Sequence, residues 1–214
     1  MVGMRKKLQE AIMGTPDLPV GYSSLEYVNI VKQFTHDSVI TTNALDVELD
    51  VMTVHKSSDW SSLNIIRSAY TDGTYGTSLL CYYTHGFFTS LLMVNNSANK
   101  EFFTQSPGNQ INSTYGRYVP TCWNKRMHYH IHDCGVTANG TFYQFEPSEI
   151  LTGINWGAML VGSAGSSGGN YLRIYRLTVR QNGVTTADLV PCLRESDGAP
   201  GLWCYVTHRF YAQN

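Results

Sequence analysis

The chain has 214 residues, of which only 14% are charged, and its formal net charge is −1 with a pI near 6.6. A balanced charge provides no basic field, so the composition argues against nucleic-acid binding and against electrostatic adhesion to an anionic membrane. No stretch approaches the roughly 18 consecutive apolar residues that a membrane-spanning helix needs.

The first sixteen residues predict a short helical arm that is separate from the rest of the chain. A helix of about ten residues is marginal alone, so its apolar stripe needs a partner surface and is interpreted as an anchor. The pattern ends at Gly14, and no apolar core of a signal peptide follows the charges at residues 5–7. The residues at helical spacing are Met4, Leu8, Ala11 and Ile12.

Pro16 and Pro19 rule out a continuing helix, so residues 1–16 and 17–214 are predicted to be an arm and one domain. From Tyr22 onward, short apolar runs alternate with turn signals and predict a two-sheet antiparallel β-sandwich. The central strand candidates are 45–51, 63–66 with 68–70, 78–83, 87–94, 127–133, 140–145 and 158–161. Turn signals lie at 71–73, 95–97, 107–109 and 138–140, and residues 163–170 form a low-complexity loop.

The strand candidate at 45–51 carries Asp46, Glu48 and Asp50 on one face and apolar residues on the other. Alternate acids on one strand are also used by jelly-roll glucanases, in which a further carboxyl acts as the general acid. No acid follows in residues 51–54, so catalysis is not predicted. The three acids are interpreted as a solvated strand face that protects an edge or meets an interface.

His128, His130 and His132 alternate along another strand candidate and are candidate metal ligands. Same-face side chains on one strand lie about 7 Å apart, so three imidazoles do not easily converge on one ion, although two of them could chelate. The alternative is that Met127 and Ile131 pack inward while the histidines line the other face or meet another subunit. No metal or other cofactor is predicted.

Three tryptophans near predicted loops or strand ends are candidate glycan-stacking residues, since apolar ring faces complement sugar CH groups. The same residue type also anchors cores and subunit contacts, so both interpretations remain open. These residues are Trp60, Trp123 and Trp156.

Five cysteines form no C-x-x-C pair and leave an odd residue over, which favours reduced thiols in a chain without a predicted secretion signal. The N-x-S/T triplets at Asn95, Asn112 and Asn139 are then incidental. The cysteines are Cys81, Cys122, Cys134, Cys192 and Cys204.

The last forty residues predict three strands and two turns. The strands are residues 171–179, 188–192 and 202–206, followed by the terminal aromatics Phe210 and Tyr211. The dipeptide Asn182-Gly183 predicts a tight hairpin, and residues 197–201 predict the second reversal. A C-terminus of this composition is expected to be docked on the domain.

The closing pattern R-I-Y-x-L-x-V, N-G, D-L-V-P-C, S-D-G-x-x-G-L-W and F-Y resembles the end of a concanavalin-A-like, laminin-G-like jelly-roll domain. That domain is common in phage and prophage structural proteins, especially those of gut Bacteroidales and Firmicutes. Residues 18–28 and 40–43 are similar to the opening strands of the same family. At Trp203-Cys204 the chain departs from the family's Tyr-Asp pair, so no acidic or ligand role is carried over there.

The resemblance implies a non-enzymatic virion structural protein of a bacteriophage, made in the host cytoplasm, as a head fibre or capsid decoration. Its arm would bind capsid or other virion proteins, and the protein is expected to form a homo-oligomer, either a dimer or a trimer. It could also contribute to attachment to the host surface. The alternative is a carbohydrate-binding module or tail adhesin that recognises host glycans.

Overall fold

A computed structural model shows that strands are the regular elements of the described chain and that all their pairings are antiparallel. The structure describes residues 17–30, 33–41, 45–54, 61–69, 78–84, 87–93, 101–105, 122, 124–132, 135–144, 155–162 and 171–213. The predicted helical arm, residues 1–16, lies outside these ranges. Among the described residues no helix has the length and hydropathy needed to cross a membrane.

Among the described residues, the larger of two sheets contains ten strands, eight of which lie side by side. In spatial order these are β11 (Thr141–Gln144), β10 (Gly135–Ala138), β9 (Met127–His132), β4 (Leu45–Val54), β13 (Tyr171–Gln181), β14 (Val184–Arg194), β15 (Ala199–Cys204) and β16 (Arg209–Ala212). The short strand β1 (Tyr22–Ser24) pairs with β14, and β2 (Val28–Ile30) pairs with β13. The sheet therefore joins segments from both ends of the domain.

In the described part of the chain the second sheet contains six strands, and the last four in spatial order follow one another along the sequence. In spatial order these are β3 (Phe34–Thr41), β12 (Asn155–Val161), β5 (Ser61–Ala69), β6 (Ser78–Thr84), β7 (Phe87–Met93) and β8 (Glu101–Gln105). The prediction of an all-β antiparallel protein is confirmed, while jelly-roll connectivity stays a prediction.

Apolar residues from both sheets form one buried cluster. Val47, Leu49 and Val51 of β4 are each at most 1% exposed, and Met159 and Val161 of β12 are fully buried in the same cluster. Alternation along β4 therefore turns its apolar residues inward and its acids outward, as predicted. Among the described side chains of the second sheet, those of Met159 and Val161 in β12 and of Phe34 in β3 pack into this core.

Strand β13 keeps its apolar residues buried by means of a β-bulge. Leu172 and Ile174 are inward, but strict alternation would next turn Arg176 inward and Leu177 outward. The register with β4 shifts between Ile174 and Arg176, so that Tyr175 is the extra residue. The bulge restores the phase, because Leu177 and Val179 are then fully buried.

The C-terminal strands are joined by turns that contain residues with positive φ. Asn182 (φ 51°) and Gly183 (φ 75°) connect β13 to β14, which confirms the predicted hairpin, and Gly198 (φ 69°) lies in the second predicted reversal. Three strands and two turns were predicted for the C-terminal segment, but the structure contains a fourth strand, β16, and therefore one more hairpin. Strand β15 ends at Cys204, and a further turn containing His208 (φ 52°) leads into β16.

The C-terminus is docked, as predicted. The amide of Gln213 donates a hydrogen bond to the carbonyl of Pro200 (2.9 Å), and Gln213 is only 5% exposed. Strands β15 and β16 approach closely because Gly201 has no side chain. A Cβ at this position would lie 2.7 Å from the ring of Phe210 and still closer to the carbonyl oxygen of Tyr211.

We expect Gly201→Ala to destabilise the protein by about 1–3 kcal/mol, because the added methyl group forces β16 away from β15. Urea unfolding measures this loss. Thr185→Ala, an exposed strand position, is the control and should change the free energy of unfolding by less than about 0.5 kcal/mol. A Gly201→Ala variant as stable as the parent would contradict the described approach of the two strands.

Candidate functional site

Two polar motifs of the sequence meet on the larger sheet. Strands β4 and β9 are adjacent and antiparallel, and their register places Glu48 opposite His130 and Asp50 opposite His128. The apolar residues of both strands are buried on the core face. The acids of one strand and the imidazoles of the other therefore share the face directed away from the core.

Asp46, Glu48 and His130 form what we call the acid–histidine cluster. His130 Nε2 lies 3.0 Å from Asp46 Oδ1, and one ligand atom from each of the three residues lies within 4.8 Å of the others. The side chains are 34%, 36% and 28% exposed, respectively. An imidazole and two carboxylates are donor types that hold divalent transition metals, so the cluster could hold such an ion.

Arg180 of β13 reaches the same carboxylates from the opposite side of β4. Its Nη1 donates to Asp46 Oδ1 at 3.1 Å and to Glu48 Oε1 at 2.9 Å. The hydrogen bond to Glu48 is the main cause that raises the pKa of Arg180 above its ordinary value. The two acids therefore lie between a guanidinium on β13 and an imidazole on β9.

The third acid of the strand, Asp50, has its own partner. Arg126 donates from Nε at 2.9 Å and from Nη2 at 2.5 Å, and this hydrogen bonding is the largest cause that raises the pKa of the arginine. The interpretation of the acids as edge protection was wrong, because β4 lies between β9 and β13 and is no edge strand. Central position and ion pairing explain these acids instead.

The structure places two of the three histidines of β9 in different surroundings. His130 belongs to the acid–histidine cluster, whereas His128 is exposed and its backbone amide donates to Asn139 Oδ1 at 2.8 Å. The side chain of His132 is outside the described residues. The sequence alone did not connect His130 with Asp46 and Glu48, because the register between distant strands is not a local signal.

A second polar feature of this sheet, which we call the aromatic–arginine patch, consists of Tyr27, Tyr171, Tyr175, Arg126 and Arg173. The guanidinium carbon of Arg126 is 3.9 Å from the ring centroid of Tyr175, and that of Arg173 is 4.0 Å from the ring centroid of Tyr27. The rings of Tyr27 and Tyr175 meet edge to face at 5.6 Å. Each such cation–π contact contributes about 0.5–1 kcal/mol at an exposed site.

The patch fastens the N-terminal part of the domain to the larger sheet. Arg173 also donates to Asn29 Oδ1 at 3.2 Å, so β13 holds both β2 and the residue before it. The bulge places Tyr175 beside Arg126, which explains why no regular sequence spacing revealed this group. Since the guanidinium groups lie over ring faces, the patch is chiefly a structural clamp.

The predicted arm and tryptophan sites have no described side-chain geometry. Trp156 lies in β12, but its side chain is outside the described residues. The other candidates outside the described residues are Met4, Leu8, Ala11, Ile12, Trp60 and Trp123.

A buried imidazole–thiol pair joins the two sheets. His36 Nε2 of β3 lies 3.3 Å from Cys204 Sγ of β15, and both residues are fully buried. The amide of Ser38 donates to His36 Nδ1 at 3.1 Å, so the neutral ring carries its proton on Nε2, facing the sulfur. Burial alone would raise the pKa of the Cys204 thiol, but hydrogen bonds with His36, Thr207 and the Asp188 backbone lower it to about 6.

No family model matches this chain, and no curated protein matches it. Among solved structures, the chain is similar to the binding domain of botulinum neurotoxin DC in complex with rat synaptotagmin II. The match has 14% sequence identity and a TM-score of 0.36, and it covers 65% of this chain and 31% of that chain. A likeness of this size carries no argument about function.

The lowered pKa of Cys204 predicts a specific pH dependence of stability. A thiol with a pKa of about 6 in the folded state and an ordinary value of 9.0 stabilises the fold fully above pH 9 and loses this contribution as the pH falls to 6. The stability lost in Cys204→Ala should therefore grow by on the order of 3 kcal/mol between pH 6 and pH 9 in urea unfolding.

Cys192→Ala is the matched control, because burial raises the pKa of the Cys192 thiol to about 11. Its effect on the free energy of unfolding should be constant from pH 6 to about pH 8, below the ordinary thiol range. Equal pH profiles for the two variants would contradict a thiolate stabilised by His36.

Proposed function

We propose that this protein is a structural protein of a bacteriophage virion, a head fibre or capsid decoration that residues 1–16 attach to the particle. The β domain would project from the particle, and several copies would associate as a dimer or trimer. The observation that carries the proposal is the placement of the two motifs that resemble phage jelly-roll domains. The opening motif, residues 18–28, contains β1 and ends at the first residue of β2, and these two strands pair directly with β14 and β13 of the closing motif.

The domain holds the start of its chain firmly, as an anchoring arm requires. The amide of Leu25 donates to the carbonyl of Pro191 at 3.1 Å, and the amide of Glu195 donates to the carbonyl of Gly21 at 2.9 Å. These bonds flank the pairing of β1 with β14. A pull on the arm would therefore be transmitted to an interior strand of the larger sheet.

Side chains add a second attachment at the same place. The ring of Tyr22 lies 4.9 Å from that of Trp203 and 5.4 Å from that of Phe210. Leu18 packs on the same small apolar cluster, whose buried members include Cys192. This cluster, which we call the junction cluster, begins at Leu18, two residues after the predicted arm, and so supports a firm attachment of the start of the domain.

We expect removal of residues 1–14 to abolish binding to the particle while the domain stays folded, because the junction begins only at Leu18. The assay is co-sedimentation of the recombinant chain with virions of its phage, and thermal unfolding checks the fold. In the full chain, Leu8→Asp should also prevent binding, whereas Gln9→Ala off the apolar stripe should not. Particle binding by the truncated chain would refute the anchor, and an unfolded truncation would refute the separate domain.

Glycan recognition is a second candidate, favoured by an aromatic content of 14 tyrosines and four tryptophans. It is compatible with the first, since a fibre can carry the adhesive surface. We expect binding on a glycan array that Trp60→Ala, Trp123→Ala or Trp156→Ala abolishes without loss of stability. Trp203→Ala is the control: it should lower the thermal midpoint, because this ring is buried in the junction cluster. An array without binding by the full chain would remove this candidate.

A further inference from the structure

The acid–histidine cluster has no part in anchoring the chain, yet it brings three metal-binding side chains together from two strands. Neither strand carries the complete set, since the two carboxylates are on β4 and the imidazole is on β9. Pairing solves this problem by placing His130 directly opposite Glu48, with Asp46 one same-face step along β4. The resulting group contains two carboxylates and one imidazole, so it is more than an acidic patch.

The backbone that carries these side chains is well supported. Val47 and Leu49, which alternate with the two acids, are each 1% exposed, and Ile131 next to His130 is 4% exposed. Strand β4 is also paired on both sides, by β9 and β13. The ligand-bearing positions are therefore fixed relative to one another before any ligand binds, and only side-chain rotations remain.

The distances suit a small divalent ion. A tetrahedral zinc ion with bonds of about 2.0–2.2 Å holds its ligand atoms about 3.4 Å apart. His130 Nε2 and Asp46 Oδ1 are 3.0 Å apart, and the whole set lies within 4.8 Å, so modest torsional changes bring all three onto one ion. About a third of the Asp46 and Glu48 side chains is exposed, whereas the Nε2 atom of His130 is buried, so solvent reaches the cluster from the side of the carboxylates.

We propose that Asp46, Glu48 and His130 form a binding site for a divalent transition-metal ion of the zinc type, with one coordination position open to solvent. Carboxylate and imidazole together suit zinc, nickel or cobalt better than magnesium or calcium, which prefer oxygen ligands alone. An ion on this face would link β4 to β9 and would stabilise the larger sheet by mass action.

Arg180 sets the affinity of this site. Its guanidinium donates to both carboxylates, so a metal ion and Arg180 compete for the same oxygens. The side chain is 31% exposed and long enough to swing into solvent when the ion binds. Removing this positive charge should therefore tighten metal binding, although it breaks two ion pairs of the metal-free protein.

Isothermal titration of the full chain with Zn²⁺ tests the proposal. We expect saturable binding that His130→Ala and the isosteric Glu48→Gln each weaken at least about tenfold. His128→Ala removes the neighbouring exposed imidazole on the same strand and is the matched control, with affinity within about twofold of the parent. Near-ultraviolet circular dichroism verifies that each variant keeps its fold.

Two further measurements distinguish metal binding at this site from metal binding by other side chains, such as the cysteines. Co²⁺ bound here should lack the intense charge-transfer absorption of a cobalt–thiolate bond, and Arg180→Met should bind Zn²⁺ several-fold more tightly. The proposal would be overturned if the full chain showed no saturable binding of Zn²⁺. It would also be overturned if both His130→Ala and Glu48→Gln bound Zn²⁺ with the affinity of the parent. A thiolate spectrum would also overturn it by assigning the ion to cysteine.

Discussion

The antiparallel pairing of β4 with β13 is the constraint on which the larger sheet depends. It joins residues 45–54 to residues 171–181 and gives the sheet two chemically distinct faces. On the inner face, apolar residues of both strands fill the core. On the outer face, the carboxylates of Asp46 and Glu48 meet the guanidinium of Arg180. If β4 slipped by one residue along β13, its apolar residues would turn to the solvent and its acids would move away from Arg180. Burial and electrostatics therefore favour the same register.

The outer face of the larger sheet has two parts, one that holds the beginning of the domain and one that carries the proposed metal ligands. On the first part, the junction cluster around Trp203 and the aromatic–arginine patch fasten the beginning of the domain, whose strands β1 and β2 pair with β14 and β13 within the sheet. The part formed by β4 and β9 carries the acid–histidine cluster. The virion proposal depends on the first part and the metal proposal on the second, so either can fail without the other.

Local sequence patterns predicted the individual strands and turns better than they predicted which strands pair with one another. Alternation from Leu45 to Val51 and the Asn182-Gly183 turn were sufficient to predict β4 and the hairpin of β13 and β14. The turn into β16 was missed because residues 205–208 contain no Gly, Pro or Asn. Strands β8 and β10 were missed because both are short and lack long alternating apolar runs.

The candidate site shows the same limit. The acids of β4 and the histidines of β9 were each recognised, but about eighty residues separate them, and only the sheet register brings Glu48 opposite His130. Arg180 has no motif of its own and lies still further along the chain. Its role appears only once β13 is placed on the other side of β4.

Lysine cross-linking of intact virions, read by mass spectrometry, tests the central claim of a particle-bound arm most directly. The chain carries Lys6 and Lys7 in the arm and the exposed Lys125 in the domain, so each part reports separately. The account predicts that Lys6 or Lys7 is linked to a different virion protein, whereas Lys125 is linked only within the chain or between its copies. Absence of the chain from purified virions, or links to other virion proteins through Lys125 alone, would contradict it.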